Sequence, residues 1–565
     1  MMGANPMARF GALLLLALVP LYSVILILDV PLFDPDEGLH AAIAQEMVTN
    51  SDWVTPRFVG HAFWDKPPLY FWAQAVSLTL LGMNELAVRL PGLLFGMFGV
   101  ATTGLLAWRW FGAQAGVVAS FFQATTILPI AISQAAVHDV ALVPFANLAI
   151  FSCWSLLESS TRRQRWQWSL ALGVAIGLTC LTKGLLGIVC VAVATGGYAL
   201  VTRQVRLSLF AWLGCAAIVA AAVGAPWYWM MEVRNPGYAY YYFVERHLLG
   251  FLTPTQEHGD APWWYYLPIL LGGGLPWIGY LPVAAVDFVR GRSLRSLSAA
   301  GNPTLLLWIW LVAFTLFLSA AHSKLVTYLL PVFPAISILT AQAWARYAAG
   351  ELTDSAKRLL ETTFRWSSIG SPLLLPICVA VTANRFDLHY SAWVYVAAFL
   401  LGFSSWLPII GWPSQRIGRH LALGGGTLVS SFLFVMVLIL PPIGATLSAR
   451  DLAEHLNQLP KLPPRVLVAE TRIGSVVFYL RPELRRQLAA DQIRPASVST
   501  WHDKLAAPPG ALLAVPEQRI RKSLRGLHLD GLTYQQAGRY RVYQASDVHE
   551  RIIAMTSDDD HGKTR

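Results

Sequence analysis

The chain has 565 residues, of which 55% are apolar and only 13% are charged. A soluble protein of this length needs far more charge, so the composition excludes that class and predicts a polytopic α-helical membrane protein. The formal net charge of +10 would suggest nucleic-acid binding in a soluble domain. In a membrane protein, an excess of Lys and Arg in cytoplasmic loops explains it, and we expect no nucleic-acid partner.

The cysteine and histidine positions argue against a disulfide framework or a metal site. All five cysteines fall inside apolar runs, which is typical of buried, inert thiols. His247, His258 and His322 lack the spacing of metal ligands, so we expect ordinary hydrogen-bonded histidines there. The sequence identifies no cofactor and leaves the need for a divalent metal ion open.

Apolar runs long enough to cross a bilayer core, about 20 residues each, predict about thirteen transmembrane helices. The first, Phe10–Leu28, has no cleavage signature, so we expect an uncleaved helix. The others are predicted at Ala87–Trp108, Phe111–Ile130, Val140–Leu157, Trp166–Leu181, Leu185–Val201, Leu207–Tyr228, Tyr265–Phe288, Leu305–Ala320, Leu325–Ala345, Ser367–Ala383, Trp393–Ile410 and Ala422–Leu440.

The distribution of basic residues predicts the orientation of these helices. With a cytoplasmic N-terminus, sixteen Lys and Arg residues fall on the cytoplasmic side and eight on the other side before the last span ends. This bias places residues 29–86, residues 229–264 and the chain after Leu440 on the outer face. We therefore expect a multi-pass protein of the inner (plasma) membrane with these segments in the periplasm.

The first outer loop, residues 29–86, begins with a predicted helix start at Asp34-Pro35. Asp is a favoured N-cap residue, and Pro is favoured at the first helical position. The apolar residues that follow share one stripe, at Leu39, Ile43 and Met47. This spacing predicts an amphipathic helix that lies in the membrane interface.

After Leu440 the composition changes, and residues 441–556 are predicted to form a small α/β domain on the outer face. With the transmembrane domain at 1–440, this gives two domains and a disordered polar tail at 557–565. Helices are predicted at Arg450–Leu459, Ser475–Leu480 and near Glu517–Leu524, and strands at Arg465–Glu470, Ala511–Val515 and Arg539–Gln544.

The first outer loop also carries charges that are candidates for chemistry. Asp36 and Glu37 lie in a first helical turn, where carboxylates either complement the helix dipole, by about 0.3–1 kcal/mol, or act as a base. Lys66 lies beside Asp65 on the side that the positive-inside bias disfavours. A surface ion pair would contribute little, whereas a fixed cation near the headgroups suits an anionic lipid phosphate.

Three further ionisable residues are expected close to membrane depth. Asp139 follows His138 at the outer mouth of a predicted span, and Lys183 and Lys324 fall in short outer connections. Such residues are costly and are functional candidates by default. The alternative for each is a side chain that extends to the interface without a further role.

A series of short motifs occurs in a fixed order along the chain. In the first outer loop and just after it they are Asp36-Glu37, Glu46-Met47, the turn at 52–56, Asp65-Lys66-Pro67-Pro68-Leu69-Tyr70 and Arg89-Leu90-Pro91. Later motifs are the segments 181–184, 262–266 and 323–331. Together they resemble the lipid A aminoarabinose transferases and their relatives, the dolichyl-phosphate-mannose protein mannosyltransferases, over nearly the whole chain.

This resemblance implies a GT-C fold and a polyprenyl-phosphate sugar donor used on the outer face. It implies that Asp36 is the catalytic carboxylate, that Asp139 is a second essential acid, and that Lys66 binds the lipid phosphate. Glu37 is the neighbouring candidate for the base. The candidate substrate-binding residues are Asp65, Lys66, Lys183, Arg246, Lys324 and Tyr328, and no metal ligand is assigned.

The sequence departs from the aminoarabinose transferases at two places. Leu39-His40 stands where those enzymes have Arg-Tyr. Gly250 stands where they have a phosphate-binding Arg, and whether Arg246 replaces it stays open. These departures leave the sugar and the acceptor undetermined.

The most consistent function is a glycosyltransferase that moves a sugar from a polyprenyl phosphate to lipid A or another envelope glycolipid, with inversion and without a nucleotide. A protein O-mannosyltransferase of the same fold is the nearest alternative. A flippase or transporter of lipid-linked sugars is less consistent, because no repeat is visible and the charges lie at one face. Membrane lipids are expected partners, and the sequence does not define an oligomeric state.

Overall fold

The computed structural model describes residues 28–252, 261–290, 299–404, 417–469, 473–496, 508–517 and 531–551, together with Tyr22, Ile25, Ile520 and Leu529. The described chain divides into two compact units. The helical unit comprises residues up to 28, 64–73 and 89–439, and the mixed unit comprises residues 29–63, 74–88 and those after 439. Most of the predicted first helix and the whole polar tail lie outside the described residues.

The helical unit consists of helices joined by short connections. A helix at Leu69–Leu81 and the helix that follows each begin in one unit and end in the other. The helices run over Glu85–Phe111, Ala113–Thr125, Ile127–Gln134, Asp139–Leu157, Arg162–Lys183, Leu185–Val201, Leu207–Arg234, Tyr240–Leu249, Gly250–Leu252, Tyr266–Gly273, Trp277–Tyr280, Leu281–Arg290, Pro303–Ala320, Val326–Val332, Phe333–Ala348, Asp354–Phe386, Ala392–Phe403, Ile417–Phe434 and Val435–Ile439.

Helices occur at each of the twelve spans predicted after the first, as far as the described residues extend. Within those residues, six helices are long and apolar enough to cross a membrane, and nine are if each of three bent pairs forms one span. One bent pair, Ala113–Thr125 and Ile127–Gln134, turns by 61°. The larger number of about thirteen crossings stays a prediction.

Two consecutive helices, Asp139–Leu157 and Arg162–Lys183, pack side by side. Because the connection between them is short, they run in opposite directions, and the start of the first lies beside the end of the second. This arrangement brings Asp139 and Lys183 to the same end of the helical unit.

Glycines allow the helix Arg162–Lys183 to approach its other neighbour, Leu207–Arg234. A Cβ added at Gly173 would lie 2.5 Å from the carbonyl oxygen of Ala216 and 2.6 Å from the Cβ of Val219. Small residues of this kind let membrane helices pack at short range. The contact holds the helix that ends at Lys183 in place.

The mixed unit contains a two-stranded hairpin and a five-stranded sheet. The hairpin pairs β1 (Arg57–Phe58) with β2 (His61–Ala62). The sheet has the order β4-β3-β5-β7-β6, in which β3 is parallel to β4 and β5, and β7 is antiparallel to β5 and β6. Its strands are β3 (Val466–Val468), β4 (Ile493–Pro495), β5 (Leu512–Pro516), β6 (Tyr534–Ala537) and β7 (Tyr540–Gln544). Its helices are Asp36–Asn50, Leu440–Leu447, Arg450–Asn457, Gly474–Tyr479 and Pro482–Arg486.

Side chains of β3 alternate between two apolar cores, as expected for a strand buried on both faces. Val466 and Val468 belong to one core, and Leu467 belongs to the other. The structure contains the three strands predicted to begin at Arg465, Ala511 and Arg539, each within a few residues of the expected bounds. It also contains the two helices predicted to begin at Arg450 and Ser475. The predicted helix near Glu517–Leu524 falls mostly outside the described residues.

The short strands β4 and β6 were not predicted. Strand β4 has only three residues, and the first three residues of β6 are exposed. Neither strand therefore carries the apolar alternation from which a strand is recognised. Each is held by pairing with a neighbour that is itself buried.

The predicted cap of the helix Asp36–Asn50 is wrong. The N-cap position belongs to Pro35, with no capping hydrogen bond from a side chain. The carboxylate of Asp34 instead accepts hydrogen bonds from the backbone N–H and the hydroxyl of Ser475. The carboxylate oxygens of Asp34, which a local cap would use, are therefore engaged in a tertiary contact with Ser475.

The helix Asp36–Asn50 is also buried more widely than an amphipathic interfacial helix would be. Beyond the predicted stripe, its buried residues include Glu37, Gly38, His40, Ala41, Ala42, Ala44 and Gln45. The physical reason is that it packs against the helix Gly474–Tyr479. A Cβ added at Gly474 would collide with the backbone of Leu39.

Replacing Gly173 with alanine should destabilise the protein. The added methyl group meets backbone at 2.5 Å, and overpacking of this kind costs about 1–3 kcal/mol. Gly214→Ala is the matched control, because that position lies in the neighbouring helix with no atom within 4 Å of an added Cβ. Thermal unfolding in detergent should show a lower Tm for Gly173→Ala alone, and equal Tm values would contradict the packing described.

Candidate active site

A buried ion pair lies at the end of the helical unit where two helices meet. The ammonium of Lys183 donates to Oδ2 of Asp139 at 2.6 Å, and the side chains are only 7% and 6% exposed. Asp139 opens its helix and Lys183 closes the next one, so each charge also complements the helix dipole. The alternative that Lys183 only extends to the interface therefore does not hold, since its charge is buried and neutralised.

The residue after Lys183 must be glycine. Gly184 has a φ of 65°, a conformation that other residues adopt only with strain. An added Cβ would also collide with the hydroxyl of Tyr242. Gly184 thus ends the helix sharply and lets the segment around Tyr242 approach the ion pair.

The segment Val326–Val332 borders the ion pair. The side chain of Thr327 lies near Asp139, and the ammonium of Lys183 lies 5.3 Å from the centre of the Tyr328 ring. The cation–π contact orients the lysine from a second direction. Tyr328 therefore lies beside the two charges.

Lys66 is a half-buried cation beside this pair. Burial lowers the pKa of Lys66 to about 8, with further lowering from Lys183 and Arg246 and opposing contributions from Asp65 and Asp139. Among the described residues, none forms a hydrogen bond or ion pair with its ammonium. An ammonium held near other cations, without a protein acceptor, is suited to an anionic ligand.

Asp65 connects Lys66 to the segment that carries Arg246. The hydroxyl of Tyr241 donates to Oδ1 of Asp65 at 2.5 Å, and Nε of Arg246 lies 3.6 Å from the same oxygen. Both partners come from the π-helix Tyr240–Leu249. Arg246 thus adds a guanidinium near Lys66. It lies four positions before Gly250, the position at which the aminoarabinose transferases have an Arg.

His247, on the same π-helix, is a hydrogen-bonded histidine, as expected. Its Nδ1 lies 2.6 Å from the carbonyl oxygen of Tyr242. Burial lowers the pKa of His247, and the charges of Arg246 and Lys66 lower it further. A neutral ring adds no positive charge to the site.

Aromatic rings surround Asp65 on one side. Trp64 packs edge-on against Tyr238 and Tyr241, with ring centres 6.0 and 5.5 Å apart. Tyr238 in turn lies against Trp227 at 5.7 Å. These contacts fix the loop from which Lys66 projects.

Lys324 has a different environment. It is buried, and its ammonium donates to the carbonyl oxygen of Ala261 at 2.8 Å and to that of Ala321. Ala321 follows the helix Pro303–Ala320, so the lysine satisfies carbonyls at a helix end. Its contacts support a structural role; a substrate-binding role stays a prediction.

Asp36 and Glu37 lie in the mixed unit, and their side chains differ. Asp36 is exposed, whereas Glu37 is 2% exposed. Oε2 of Glu37 accepts a hydrogen bond from the backbone N–H of Phe33 at 2.9 Å. Glu37 thus closes the turn before its helix, and Asp36 is the carboxylate presented to solvent.

The described residues contain no group of three or more His, Cys, Asp or Glu side chains that could hold a metal ion. The carboxylates near Lys66 are engaged with cations, Asp139 with Lys183 and Asp65 with Arg246. The described donor set therefore does not fit a divalent ion, and no step below depends on one.

Three residues of the site were not among the candidates. Thr327 lies near Asp139, Tyr241 donates a hydrogen bond to Asp65, and Gly184 permits the close approach of Tyr242. Thr327 and Gly184 each lie inside a quoted motif, next to a candidate residue. Nothing in the sequence distinguishes Tyr241 within its run of three tyrosines.

Comparisons with known proteins identify the fold and the family of the chain. A family model described as dolichyl-phosphate-mannose-protein mannosyltransferase matches residues 65–229. A crystal structure of ArnT from Cupriavidus metallidurans bound to undecaprenyl phosphate superimposes with a TM-score of 0.73, covering 94% of this chain and 97% of that one at 23% identity. The fold is therefore the GT-C fold of that transferase, in a multi-pass membrane protein.

Sequence relatives define the family more closely. An undecaprenyl phosphate-alpha-4-amino-4-deoxy-L-arabinose arabinosyl transferase from Sodalis glossinidius is 30% identical over 407 residues, 70% of this chain and 71% of the relative. The enzyme of that name from Aeromonas salmonicida is 33% identical over 362 residues, 62% of each chain. The chain belongs to this family of transferases, and it spans somewhat under two thirds of the length of the first such relatives.

Removing one member of the buried ion pair should be costly. Asp139→Asn leaves Lys183 buried without its counter-charge, which typically costs about 3–5 kcal/mol, so Tm should fall strongly. The double variant Asp139→Leu with Lys183→Met removes both charges and should recover much of the Tm while remaining inactive. Thermal unfolding in detergent tests both, and an unchanged Tm for Asp139→Asn would show that the lysine does not need its partner.

Proposed function

We propose that this protein is a membrane glycosyltransferase that moves a sugar from a polyprenyl phosphate to a glycolipid acceptor such as lipid A. The main observation behind this proposal concerns Lys66. Its side chain is half-buried, the pKa of its ammonium is lowered, and none of the described residues forms a hydrogen bond or ion pair with it. The names of the relatives make undecaprenyl phosphate-linked 4-amino-4-deoxy-L-arabinose the first donor to test.

In this proposal the donor phosphate binds Lys66. Arg246 and Lys183 add positive charge nearby, while Asp65 and Asp139 hold those two cations in place. The arrangement stabilises the negative charge that the phosphate gains when the glycosidic bond breaks. It stabilises the leaving group without a nucleotide.

Asp36 is the proposed base. It takes the proton from the acceptor, which attacks the anomeric carbon as the lipid phosphate leaves, with inversion. Its exposure and its match to the family motif support the choice over Glu37, whose carboxylate closes a turn. Asp139, bound to Lys183, serves to position that lysine.

The proposal includes a topology. We place the reaction on the periplasmic face of the inner membrane, with about thirteen crossings and a transmembrane domain over 1–440. The α/β domain at 441–556 and the loop 29–86 then lie on the outer side. The distribution of Lys and Arg supports this orientation.

A protein acceptor is the second candidate. One observation favours it, since the family model that matches residues 65–229 is that of protein mannosyltransferases. The two candidates share a polyprenyl-phosphate donor and differ in its sugar and in the group that attacks.

A reconstituted reaction separates these functions. The purified protein, given undecaprenyl phosphate-linked aminoarabinose and lipid A in detergent, should yield lipid A heavier by one aminoarabinose in mass spectrometry. A parallel reaction with mannosyl polyprenyl phosphate and a Ser/Thr-rich peptide tests the second candidate. Product in the peptide arm alone would replace the first proposal with the second.

The charge on Lys66 should make donor binding depend on pH. Because its pKa is lowered to about 8, the ammonium loses its charge as pH rises through 8. A sugar phosphodiester does not titrate there, so donor affinity should fall by up to roughly tenfold per pH unit above 8. Lys66→Arg keeps its charge to above about pH 12 and should show no such decline. Binding measured from pH 7 to 9.5 tests this, and parallel curves for both proteins would exclude Lys66 as the titrating group.

Asp36→Asn should separate catalysis from binding. The substitution keeps size and removes the base, so turnover should fall by about 10²-fold or more. Donor affinity and Tm should stay near wild type, because the carboxylate is exposed. Steady-state kinetics with the donor, beside Glu46→Gln as a matched change on the same helix, gives the comparison. Near-normal turnover by Asp36→Asn would remove it from the mechanism.

A further inference from the structure

The mixed unit anchors the segment that carries Asp36 through several polar contacts. Ser475 donates its backbone N–H to Oδ1 of Asp34 at 3.1 Å and its hydroxyl to Oδ2 of the same residue. The backbone N–H of Asp34 donates to the carbonyl oxygen of Leu447 at 2.9 Å. The side chain and backbone of Asp34 are thus both held by the chain after residue 440.

The orientation of the Ser475 hydroxyl is itself fixed. Its oxygen accepts a hydrogen bond from the backbone N–H of Ala449 at 2.9 Å, which leaves the hydroxyl proton to point at Asp34. Ser475 is fully buried. Water cannot substitute easily for either contact, so the arrangement is specific.

A second anchor holds the chain just before Asp34. The hydroxyl of Tyr479 accepts from the backbone N–H of Leu32 at 2.9 Å and donates to Oε1 of Glu85 at 2.8 Å. Tyr479 and Ser475 are four residues apart on the helix Gly474–Tyr479. They therefore lie on one face of that helix and contact the segment together.

A third anchor lies just after Asp36. A Cβ added at Gly38 would lie 2.3 Å from the backbone nitrogen of Ser475, and one at Gly474 would collide with the backbone of Gly38 and Leu39. The two backbones meet with no room for a side chain at either glycine. The chain is thus fixed on both sides of Asp36, while Asp36 itself remains exposed.

We propose that Ser475 is a positioning residue for the reaction, acting through Asp34 to fix the direction of the Asp36 carboxylate. This inference rests on the proposed role of Asp36 as the base. In this proposal the mixed unit has a specific role, because its helix Gly474–Tyr479 sets the geometry of proton transfer. A misplacement of about 1 Å at a reacting group can cost 10²-fold in rate.

Kinetics of the full-length enzyme test the proposal. Ser475→Ala should lower kcat by about tenfold or more and leave the donor KM near wild type, because Lys66 is untouched. Ser448→Ala is the matched control, a buried serine of the same unit whose hydroxyl oxygen accepts from the backbone N–H of Arg450; its kcat should be unchanged. Asp34→Asn, which keeps size, should reproduce the loss of kcat and serves if Ser475→Ala does not fold.

A double variant distinguishes positioning from general damage. In the Asp36→Asn background, Ser475→Ala should cause no further loss of rate, since the group it positions is gone. An equal loss in both backgrounds, or a normal kcat in Ser475→Ala and Asp34→Asn, would overturn the positioning role. If Asp36→Asn alone keeps full turnover, it is the proposed base that fails, whatever Ser475→Ala does.

Discussion

Two opposite charges are buried at the point where the helices Asp139–Leu157 and Arg162–Lys183 meet, and neither would be stable there alone. Their pairing at 2.6 Å fixes the ends of both helices. Tyr328 and Thr327 pack on the pair, and Lys66 lies close enough for its pKa to respond to both charges. The electrostatic character of the site therefore follows from one neutralised pair, beside which Lys66 adds a further positive charge.

Much of the helical fold could be predicted because its signal is local. An apolar run of about 20 residues specifies a helix without reference to the rest of the chain, and helices occur where those runs lie. The bends escaped prediction, including the turn of 61° after Thr125. Such breaks depend on packing between helices rather than on the composition of either piece.

The site was predictable only in part, for a related reason. Lys66 and Asp139 were recognisable because charge is expensive near a membrane. Their partners were not, since the pairing of Asp139 with Lys183 joins residues 44 positions apart. The Asp34 cap was predicted wrongly because a local rule cannot anticipate a serine 441 positions away. Local chemistry was enough to select candidate residues, whereas the contacts of each candidate depend on the tertiary structure.

That long separation also constrains how the protein is made. Asp34 leaves the ribosome long before Ser475, Tyr479 and Leu447, whose hydrogen bonds hold residues 32–34. Closing so long a loop carries an entropic cost and makes this pairing a late event. Residues 32–34 therefore lack these hydrogen bonds until most of the chain has been synthesised. The segment that carries Asp36 can therefore take up its final conformation only after the helix Gly474–Tyr479 has been synthesised.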